Sequence, residues 1–301
     1  MTALDELHEL VATTASRVGP SVVSIGRHGR GSGFVVGANR VLTNAHNLRD
    51  RTTQVRFADG RTEQGAVMGS DVDGDLVVLD ADTRDAPPLT WSDAAPSPGD
   101  VVVSLAAGGN QARATWGQLT AVERGFRGPR GRRIAGAIEH TAPSAAGSSG
   151  APVLDRGGSV LAVNTHRVDH GFYLARLADT ELRERVAAMA EGRRYERIEL
   201  GVALAPPHVA AKLRRAVGLP DRDGLLVRGV VDGSPAKSAG IGEGDLLVRA
   251  GDRDLTSTDD LFDVLASVQP GGTLTITVVR GTDENTVTIQ FPAAEQTDSD
   301  D

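Results

Sequence analysis

The chain has 301 residues, of which 40% are hydrophobic and 24% are charged, and its formal net charge is −8. This length suits two globular domains of roughly 100–200 residues each. The absence of Cys excludes disulfides, thiol catalysis and Cys-based metal sites. The acidic balance argues against a general nucleic-acid binder, because neutralising phosphates requires a surplus of Lys and Arg.

The start of the chain predicts a short amphipathic helix, because Leu4, Leu7, Leu10 and Val11 recur at helical spacing. The same region is acidic, with neither the basic n-region nor the apolar run of a signal peptide. No stretch of about 18 apolar residues occurs, so we expect no membrane span. Together with the initial Met, these features favour a cytoplasmic location.

Short apolar runs follow, separated by Gly, Pro, Asp and Asn and without long helical patterns between them. Runs at this spacing predict an all-β barrel or sandwich domain. The runs are Ser21–Ile25, Gly33–Val36, Arg40–Thr43, Gln54–Phe57, Leu76–Asp80, Val101–Leu105, Gln118–Val122, Ile134–His140, Val153–Leu154, Val160–Asn164 and Gly171–Ala175.

Helical periodicity returns at Asp179–Glu191, and a polar, basic linker leads into a second unit that contains both strands and helices. Its predicted strands are Leu200–Leu204, Gly224–Val231, Asp245–Ala250, Thr273–Val279 and Thr286–Gln290. Its predicted helices are Pro207–Val217 and Thr258–Ser267. The predicted organisation is a lead-in helix (1–20), a β domain (21–178), a helix and linker (179–197), a second domain (198–292) and a disordered acidic tail (293–301).

Three segments carry the residue types that acyl transfer by a serine requires. The first is a β run that ends in His46, the second places Asp75 at the mouth of a buried strand, and the third holds Ser149 in a Gly-framed turn. A Ser hydroxyl is a weak nucleophile that needs an adjacent base, and a carboxylate must orient that base. The three residues therefore predict a catalytic triad.

The order of these residues along the chain is informative. His, then Asp, then Ser is the chymotrypsin order, whereas α/β-hydrolases and subtilisins use other orders. The glycines around Ser149 leave the N–H groups of Gly147 and Ser149 free to bind an oxyanion, which contributes about 3–4 kcal/mol per donor.

Each of the three residues also has an alternative interpretation. A lone His is most often structural, and Asp75 lies close to Asp71 and Asp73, so it could be a turn acid. The important hydroxyl of the turn could belong to Ser148 instead of Ser149. The conjunction of all three residues, in order and at strand edges, favours catalysis.

These residues resemble the HtrA (DegP-like) family of serine proteases, and the resemblance covers nearly the whole chain. It implies a mostly β fold in which a chymotrypsin-like double β-barrel precedes a PDZ domain of the α+β class. The segments that carry it are Gly31-Ser-Gly-Phe34, Thr43-Asn-Ala-His46, Asp75-Leu-Val-Val-Leu79 and Gly147-Ser-Ser-Gly-Ala-Pro152.

The resemblance implies that His46 is the general base, Asp75 its orienting acid and Ser149 the nucleophile. It places Gly147 and Ser149 in the oxyanion hole. The strand Val160–Thr165 would line one side of the primary specificity pocket through Val163, with Ser144 and Val168 flanking the pocket. Ser148 and Ala151 depart from the family pattern, which has Asn and Gly there.

In the second unit, Gly224, Leu225, Leu226 and Val227 resemble the carboxylate-binding loop of a PDZ domain and its following strand. Backbone N–H groups there could capture a C-terminal carboxylate, and the edge of the strand could pair with an extended peptide. Two helical residues, Leu261 and Leu265, could either face that groove or pack in the core.

The predicted function is a serine endopeptidase that cleaves unfolded or exposed polypeptides and captures substrate or activating C-termini through its PDZ domain. No metal or organic cofactor is required, and the resemblance implies a homo-oligomer, a trimer. The alternatives are a catalytically silent PDZ scaffold or chaperone, and an esterase. The Arg-rich loop 124–133 is predicted to be a solvated hairpin tip, with an RNA-contacting patch or a regulatory loop as alternatives.

Overall fold

The structure, a computed structural model, divides into two compact units, 1–195 and 196–301. The predicted acidic tail lies outside the described part of the chain, except for Ala293. The structure describes residues 2–108, 111–128, 133–169, 171–195, 198–205 and 207–293.

The first unit opens with helix α1, Ala3–Val18, as the spacing of its leucines predicts. Thr2 caps the helix and forms a reciprocal pair of hydrogen bonds with Asp5, which satisfies backbone N–H groups that have no partner within a helix. Leu10 and Val11 pack against the main hydrophobic core of the unit. The helix therefore belongs to the folded unit.

Six strands form the first barrel. They are hydrogen-bonded in the order β5-β4-β1-β2-β3-β6, and a pairing of β5 with β6 closes the sheet. Their inward residues, among them Val23, Ile25 and Phe57, form a compact core. The strands are β1 (Val22–Ile25), β2 (Gly31–Gly37), β3 (Arg40–Thr43), β4 (Thr52–Arg56), β5 (Thr62–Asp71) and β6 (Leu76–Asp80).

Six further strands form a second closed barrel, in the order β10-β11-β12-β9-β8-β7. Phe34 and Leu42 of the first barrel belong to the same buried cluster as Val103 and Leu154 of the second. The two barrels thus share one hydrophobic core, which fixes how they pack against each other. The strands are β7 (Val101–Ala107), β8 (Ala112–Arg127), β9 (Arg133–His140), β10 (Pro152–Leu154), β11 (Val160–Asp169) and β12 (Phe172–Leu177).

The first unit ends with helix α2, Thr180–Ala190, and the short strand β13, Arg194–Tyr195. Asp179 caps the helix through its side chain, which accepts a hydrogen bond from the N–H of Leu182. Strand β13 pairs in parallel with β5 of the first barrel. The segment that the sequence predicts as a linker is therefore partly built into the barrel.

The second unit has one sheet in the order β14-β15-β16-β18-β19, with β17 paired to β16. Helix α5 begins at a capping box formed by Ser257 and Asp260, and it buries Leu261 and Leu265 against the sheet core. The elements are β14 (Val202–Leu204), α3 (Pro207–Ala216), β15 (Leu225–Val230), α4 (Pro235–Ser238), β16 (Leu246–Ala250), β17 (Arg253–Asp254), α5 (Thr258–Ser267), β18 (Thr273–Arg280) and β19 (Asp283–Gln290).

The mostly β class predicted from the sequence is confirmed by these two barrels and the additional sheet. Strand β5 is missing from the predicted strands, because its sequence is polar and Gly-containing. A Cβ on Gly65 would lie 2.8 Å from a methyl carbon of Val55 in β4. The glycine therefore allows β5 to pack closely against β4. Among the described residues, no helix is both long and apolar enough to cross a membrane.

Candidate functional site

The imidazole of His46 and the carboxylate of Asp75 are in direct contact. His46 lies in a short 3₁₀ turn after β3, and its Nδ1 is 2.7 Å from Oδ2 of Asp75. The backbone N–H of His46 donates to the other carboxylate oxygen at 3.0 Å. These two contacts fix the ring orientation and favour the tautomer that carries its proton on Nδ1, leaving Nε2 as the basic nitrogen.

The carboxylate of Asp75 is almost fully buried, with 1% of the residue exposed. Thr165, at the point where β11 leaves the barrel core, also donates its hydroxyl to Oδ2 at 3.3 Å. A buried carboxylate requires such partners, because desolvation of an unpaired charge is costly. The second barrel therefore supplies a third contact to the acid of the first.

Ser149 is the second residue of the latter of two consecutive β-turns. The N–H of Ser148 bonds to the carbonyl of Ala145, and the N–H of Ala151 bonds to the carbonyl of Ser148. The third residue of each turn is a glycine with positive φ, +87° at Gly147 and +84° at Gly150. A positive φ at that position is the signature of a type II turn and explains the glycines that frame Ser149.

The first barrel holds this turn in place. The carbonyl of Ser149 accepts hydrogen bonds from the N–H of Ser32 at 2.8 Å and from Nδ2 of Asn47 at 2.9 Å. The Ser32 hydroxyl also donates to the carbonyl of Gly147 at 2.7 Å. Ser32 lies within the Gly-Ser-Gly-Phe segment, and the sequence alone does not reveal this anchoring role.

The hydroxyl of Ser149 donates to the carbonyl of Thr165 at 3.3 Å. Within the described residues, no hydrogen bond joins it to His46. Catalytic hydrogen bonds are often absent or poorly aligned without substrate and tighten in the complex. Thr165 thus contacts both Asp75 and Ser149, and the structure brings the three predicted triad residues to one junction between the barrels.

The predicted oxyanion donors are unengaged by protein acceptors. In the described part of the chain, neither the N–H of Gly147 nor that of Ser149 donates a hydrogen bond to another residue. Free N–H groups are the requirement for stabilising a developing oxyanion. The oxyanion hole at Gly147 and Ser149 stays a prediction.

The three predicted specificity residues differ in their surroundings. Val163 is 0% exposed and packs in the core shared by the barrels, so its predicted contact with substrate is wrong. Val168 is 48% exposed and lies five positions further along the same strand, in its exposed half. Ser144 is half-buried, and its hydroxyl donates to the carbonyl of Ala142 at 3.3 Å.

A buried polar group beside the Ser149 turn was missed by sequence reasoning. His140 is 0% exposed, and its Nε2 lies 2.8 Å from Oδ1 of Asn164, whose Nδ2 donates to the hydroxyl of Ser104 at 2.8 Å. Burial lowers the pKa of His140, partly opposed by Asn164, so this imidazole is neutral near pH 7. The carbonyl of Asn164 accepts from the N–H of Gly150 and so supports the turn.

The peptide-binding edge predicted in the second unit is also wrong. Leu225, Leu226 and Val227 are buried, and their strand, β15, has β14 on one side and β16 on the other. A strand paired on both sides has no free backbone groups for a peptide. Gly224 precedes this inner strand, and Leu261 and Leu265 pack in the core, as their alternative interpretation predicts.

The free edge of this sheet is β14. The N–H of Val231 bonds to the carbonyl of Gly201 at 2.9 Å, so by the alternation of antiparallel pairs the N–H and C=O of Val202 point away from β15. Gly201 has φ +80°, which turns the chain just before the strand. In the sequence, the glycine of Leu200-Gly-Val202, directly before a short apolar run, was the feature that could have indicated a turn leading into this edge strand.

Val202 and Leu204 are half-buried and pack against the cluster that contains Leu261 of helix α5. The β14 edge is therefore flanked by apolar side chains. Within the described residues, no group of His, Asp and Glu has the arrangement of a metal site in either unit.

Two family models match the chain. The trypsin-like peptidase domain matches residues 31–163, and the PDZ domain matches residues 199–291. Curated relatives include serine protease HTRA2, mitochondrial, of Drosophila simulans, 28% identical over 86% of this chain and 66% of the relative. The same protein of Drosophila pseudoobscura pseudoobscura is 29% identical over 83% of this chain and 63% of the relative. The chain thus spans slightly under two thirds of these relatives' length.

Solved structures share the fold. The HtrA-type protease AlgW with a decapeptide has a TM-score of 0.73 at 22% identity, covering 95% of this chain and 99% of its own. The serine endoprotease from Yersinia pestis has a TM-score of 0.70 at 23% identity, covering 98% of this chain and 99% of its own. The double β-barrel followed by a PDZ domain, predicted from the sequence, is confirmed.

The cytoplasmic location predicted from the sequence is wrong. The curated relatives are named as mitochondrial proteins, and this finding contradicts the prediction. The prediction rested on the composition of the first residues and on the initial Met. Neither is informative about location for a chain that spans only part of its relatives' length.

Proposed function

Because this chain belongs to the HtrA-like serine proteases, with a trypsin-like peptidase domain followed by a PDZ domain, we propose that it is a serine endopeptidase that cleaves unfolded or exposed polypeptides. Ser149 is the nucleophile, His46 the general base and Asp75 the acid that orients His46. The observation that carries the proposal is the 2.7 Å contact between His46 and Asp75 beside the Ser149 turn.

In the proposed reaction, the hydroxyl of Ser149 leaves the carbonyl of Thr165 and turns to Nε2 of His46. His46 accepts the hydroxyl proton as Ser149 attacks the substrate carbonyl carbon. The buried carboxylate of Asp75 stabilises the imidazolium that forms, and the imidazolium then delivers the proton to the leaving amine. Water repeats the sequence on the acyl-enzyme and releases the second product.

The N–H groups of Gly147 and Ser149 bind the oxyanion of the tetrahedral intermediate. Their lack of protein acceptors supports this role, because a donor already engaged would have to break a bond first. Ser148 and Ala151, which depart from the family pattern, lie on either side of Gly150 and Ser149 without removing a reacting group.

For the second unit, we propose that the β14 edge captures an extended peptide by β-augmentation, with the turn at Leu200–Val202 receiving its C-terminal carboxylate. The N–H and C=O of Val202 face the open side of the sheet, and Val202 and Leu204 offer apolar contacts. The HtrA-type protease AlgW, which shares this fold, was solved with bound peptides.

A trimeric assembly of this chain stays a proposal from the family resemblance. Light scattering, which gives the mass of the particle in solution, measures it.

A fluorophosphonate probe tests the nucleophile directly, because it phosphonylates only an activated serine. We expect labelling of the full chain, loss of labelling in Ser149→Ala and retained labelling in the matched variant Ser148→Ala. Casein cleavage, compared with turnover of short p-nitrophenyl esters, separates an endopeptidase from an esterase. If the folded wild type is unlabelled even with a peptide that binds the PDZ domain, the chain is a silent scaffold instead.

A further inference from the structure

The short loop between β5 and β6 presents Asp75 in an unfavourable backbone conformation. Asp75 is not a glycine, yet its φ is +58°. The left-handed region is disfavoured for residues with a Cβ and persists where the surroundings hold it. The bond from the Asp75 N–H to the carbonyl of Val72, at 3.2 Å, closes only a local turn. The carbonyl of Asp75 accepts hydrogen bonds from the N–H of Ala45 at 3.1 Å and from Nδ2 of Asn44 at 2.9 Å, and the peptide that precedes Asp75 is held by separate contacts.

A buried ion-pair network surrounds the residue just before Asp75. The carboxylate of Asp71 is buried, and it accepts the N–H of Gly74 at 2.8 Å and Nη1 of Arg185 at 3.0 Å. Arg176, from β12 of the second barrel, donates Nη1 to the carbonyl of Gly74 at 2.7 Å and lies 4.0 Å from Asp71. Both backbone polar groups of Gly74 are thus held by charged side chains.

Gly74 leaves no room for another arrangement. A Cβ at this position would lie 2.1 Å from Oδ2 of Asp71 and 2.5 Å from Nη1 of Arg176. The carbonyl that Arg176 holds belongs to the peptide that joins Gly74 to Asp75. Because a peptide unit is planar, fixing this carbonyl also fixes the amide nitrogen of Asp75 and the path of its backbone.

The network is also tied to the end of the first unit. Arg185 lies on α2, where it bonds to Glu181 at 2.9 Å, and its guanidinium lies 4.6 Å from the ring centre of Tyr195. Tyr195 is paired with Asp71 across the parallel strands β13 and β5. Burial lowers the pKa of Arg176 and the charge of Asp71 opposes this effect, but an arginine stays charged in any case.

We propose that Asp71, Arg176 and Arg185 form a positioning network that fixes Asp75 against His46. The inference rests on the proposed role of Asp75 in the triad. None of the three side chains touches the reacting atoms. Asp71 and Arg176 act through the backbone of Gly74, and Arg185 acts through Asp71. Asp71, which lies four residues before Asp75, is the acid that holds the loop presenting Asp75.

The test compares Arg176→Met, which removes the charge and the donors, with Arg176→Lys, which keeps a donor for the Gly74 carbonyl. The matched control is Arg183→Met, since Arg183 is also half-buried and bonds to the carbonyls of Ala178 and Ser92, away from this loop. The readouts are the downfield proton resonance of the His46 Nδ1–H, the kcat and KM for a peptide substrate, and the melting temperature.

We expect Arg176→Met to broaden or abolish the His46 resonance and to lower kcat about tenfold to a hundredfold with KM unchanged, because small misplacements of a catalytic group have effects of this size. Arg176→Lys should recover part of both, and Arg183→Met should change neither. Arg185→Met, at a more exposed position, should act in the same direction but less, and it serves if Arg176→Met does not fold.

A folded Arg176→Met variant with the wild-type resonance and kcat would overturn the inference. The resonance also separates this result from a failure of the proposed function. If the wild type is not labelled by a fluorophosphonate, yet its His46 resonance is lost in Arg176→Met, the protease proposal fails and the positioning network stands. A wild type without that resonance would count against the network itself.

Discussion

The candidate active site and the candidate peptide-binding edge use different chemical groups, side chains in the first and backbone groups in the second. In the first unit, the proposed chemistry belongs to side chains, and the buried carboxylate of Asp75 has partners from both barrels. In the second unit, the binding groups belong to the backbone of β14, whose outer side has no neighbouring strand. Changes of side chain should therefore damage the first site far more than the second.

The difference also explains which of the two sites can be recognised from the sequence. A triad needs particular residue types, so His46, Asp75 and Ser149 are visible as motifs. A free strand edge can be made from almost any residue, because every residue except proline has the same donor and acceptor. Its position depends on which strands pair, and that is a property of the whole sheet.

The largest effect should come from Asp75→Asn. An amide cannot stabilise the imidazolium and favours the wrong tautomer of His46, so kcat should fall by about 10⁴ with little change in KM. Steady-state kinetics on a peptide substrate measures this. A loss of less than tenfold would show that Asp75 does not orient the base.

Gly150→Ala should sharply reduce both stability and activity. A Cβ at Gly150 would lie 2.2 Å from the carbonyl oxygen of Ser32, in addition to requiring a positive φ. We expect a loss of about 2–4 kcal/mol in the free energy of unfolding, measured by denaturant titration.

Gly60→Ala is the control for this variant. Gly60 has a similar φ of +88°, but a Cβ there would meet no atom within 4 Å. Its cost should be only the conformational one, about 1 kcal/mol, and activity should be retained. Equal losses in the two variants would mean that the close approach of Gly150 to Ser32 is unimportant.

In the second unit, Leu204→Ala should weaken binding of a peptide with a free C-terminal carboxylate by about tenfold, through lost apolar contact. Amidation of the peptide C-terminus should weaken it similarly. Arg228→Ala is the control, since Arg228 is exposed on the inner strand β15. In NMR titrations, the amides of residues 200–204 should shift most. Larger shifts in residues 225–230 would contradict the assignment of the edge to β14.

The smallest effect concerns Asp260, at the start of the helix that flanks this edge. Burial alone would raise its pKa, but hydrogen bonds from Ser257 and Thr256 lower the pKa of Asp260 to about 2. A lowered pKa stabilises the folded state above the ordinary value of 3.8, and this contribution is lost as the pH falls towards 2.

Asp260→Asn should therefore lower the melting temperature of the second unit by about 2–5 °C at neutral pH. The difference from the wild type should shrink between pH 4 and pH 2, followed by circular dichroism. Asp252→Asn, at an exposed position, is the control and should melt like the wild type. A difference that does not depend on pH would contradict the role of the ionised carboxylate.

Sequence reasoning predicted the elements with strong apolar patterns and missed those that depend on their neighbours. The bounds of β3, β6 and α5 match their predicted ranges. Strand β5 was missed, because most of its residues are polar or small and its pairing with β4 and β6 is not visible in the sequence. Val163 was predicted to line a pocket, yet its face of β11 points into the shared core.

The amino-acid sequence alone predicted the residue types of the proposed triad, the glycines that allow the turns around Ser149 and the two-part organisation of the chain. These follow from local requirements that few residues satisfy. The pairing of Asp71 with Arg185, the anchoring of the Ser149 turn by Ser32 and the open edge at β14 became visible in the folded chain alone. Such contacts join residues far apart in the chain, and the packing of whole elements selects them.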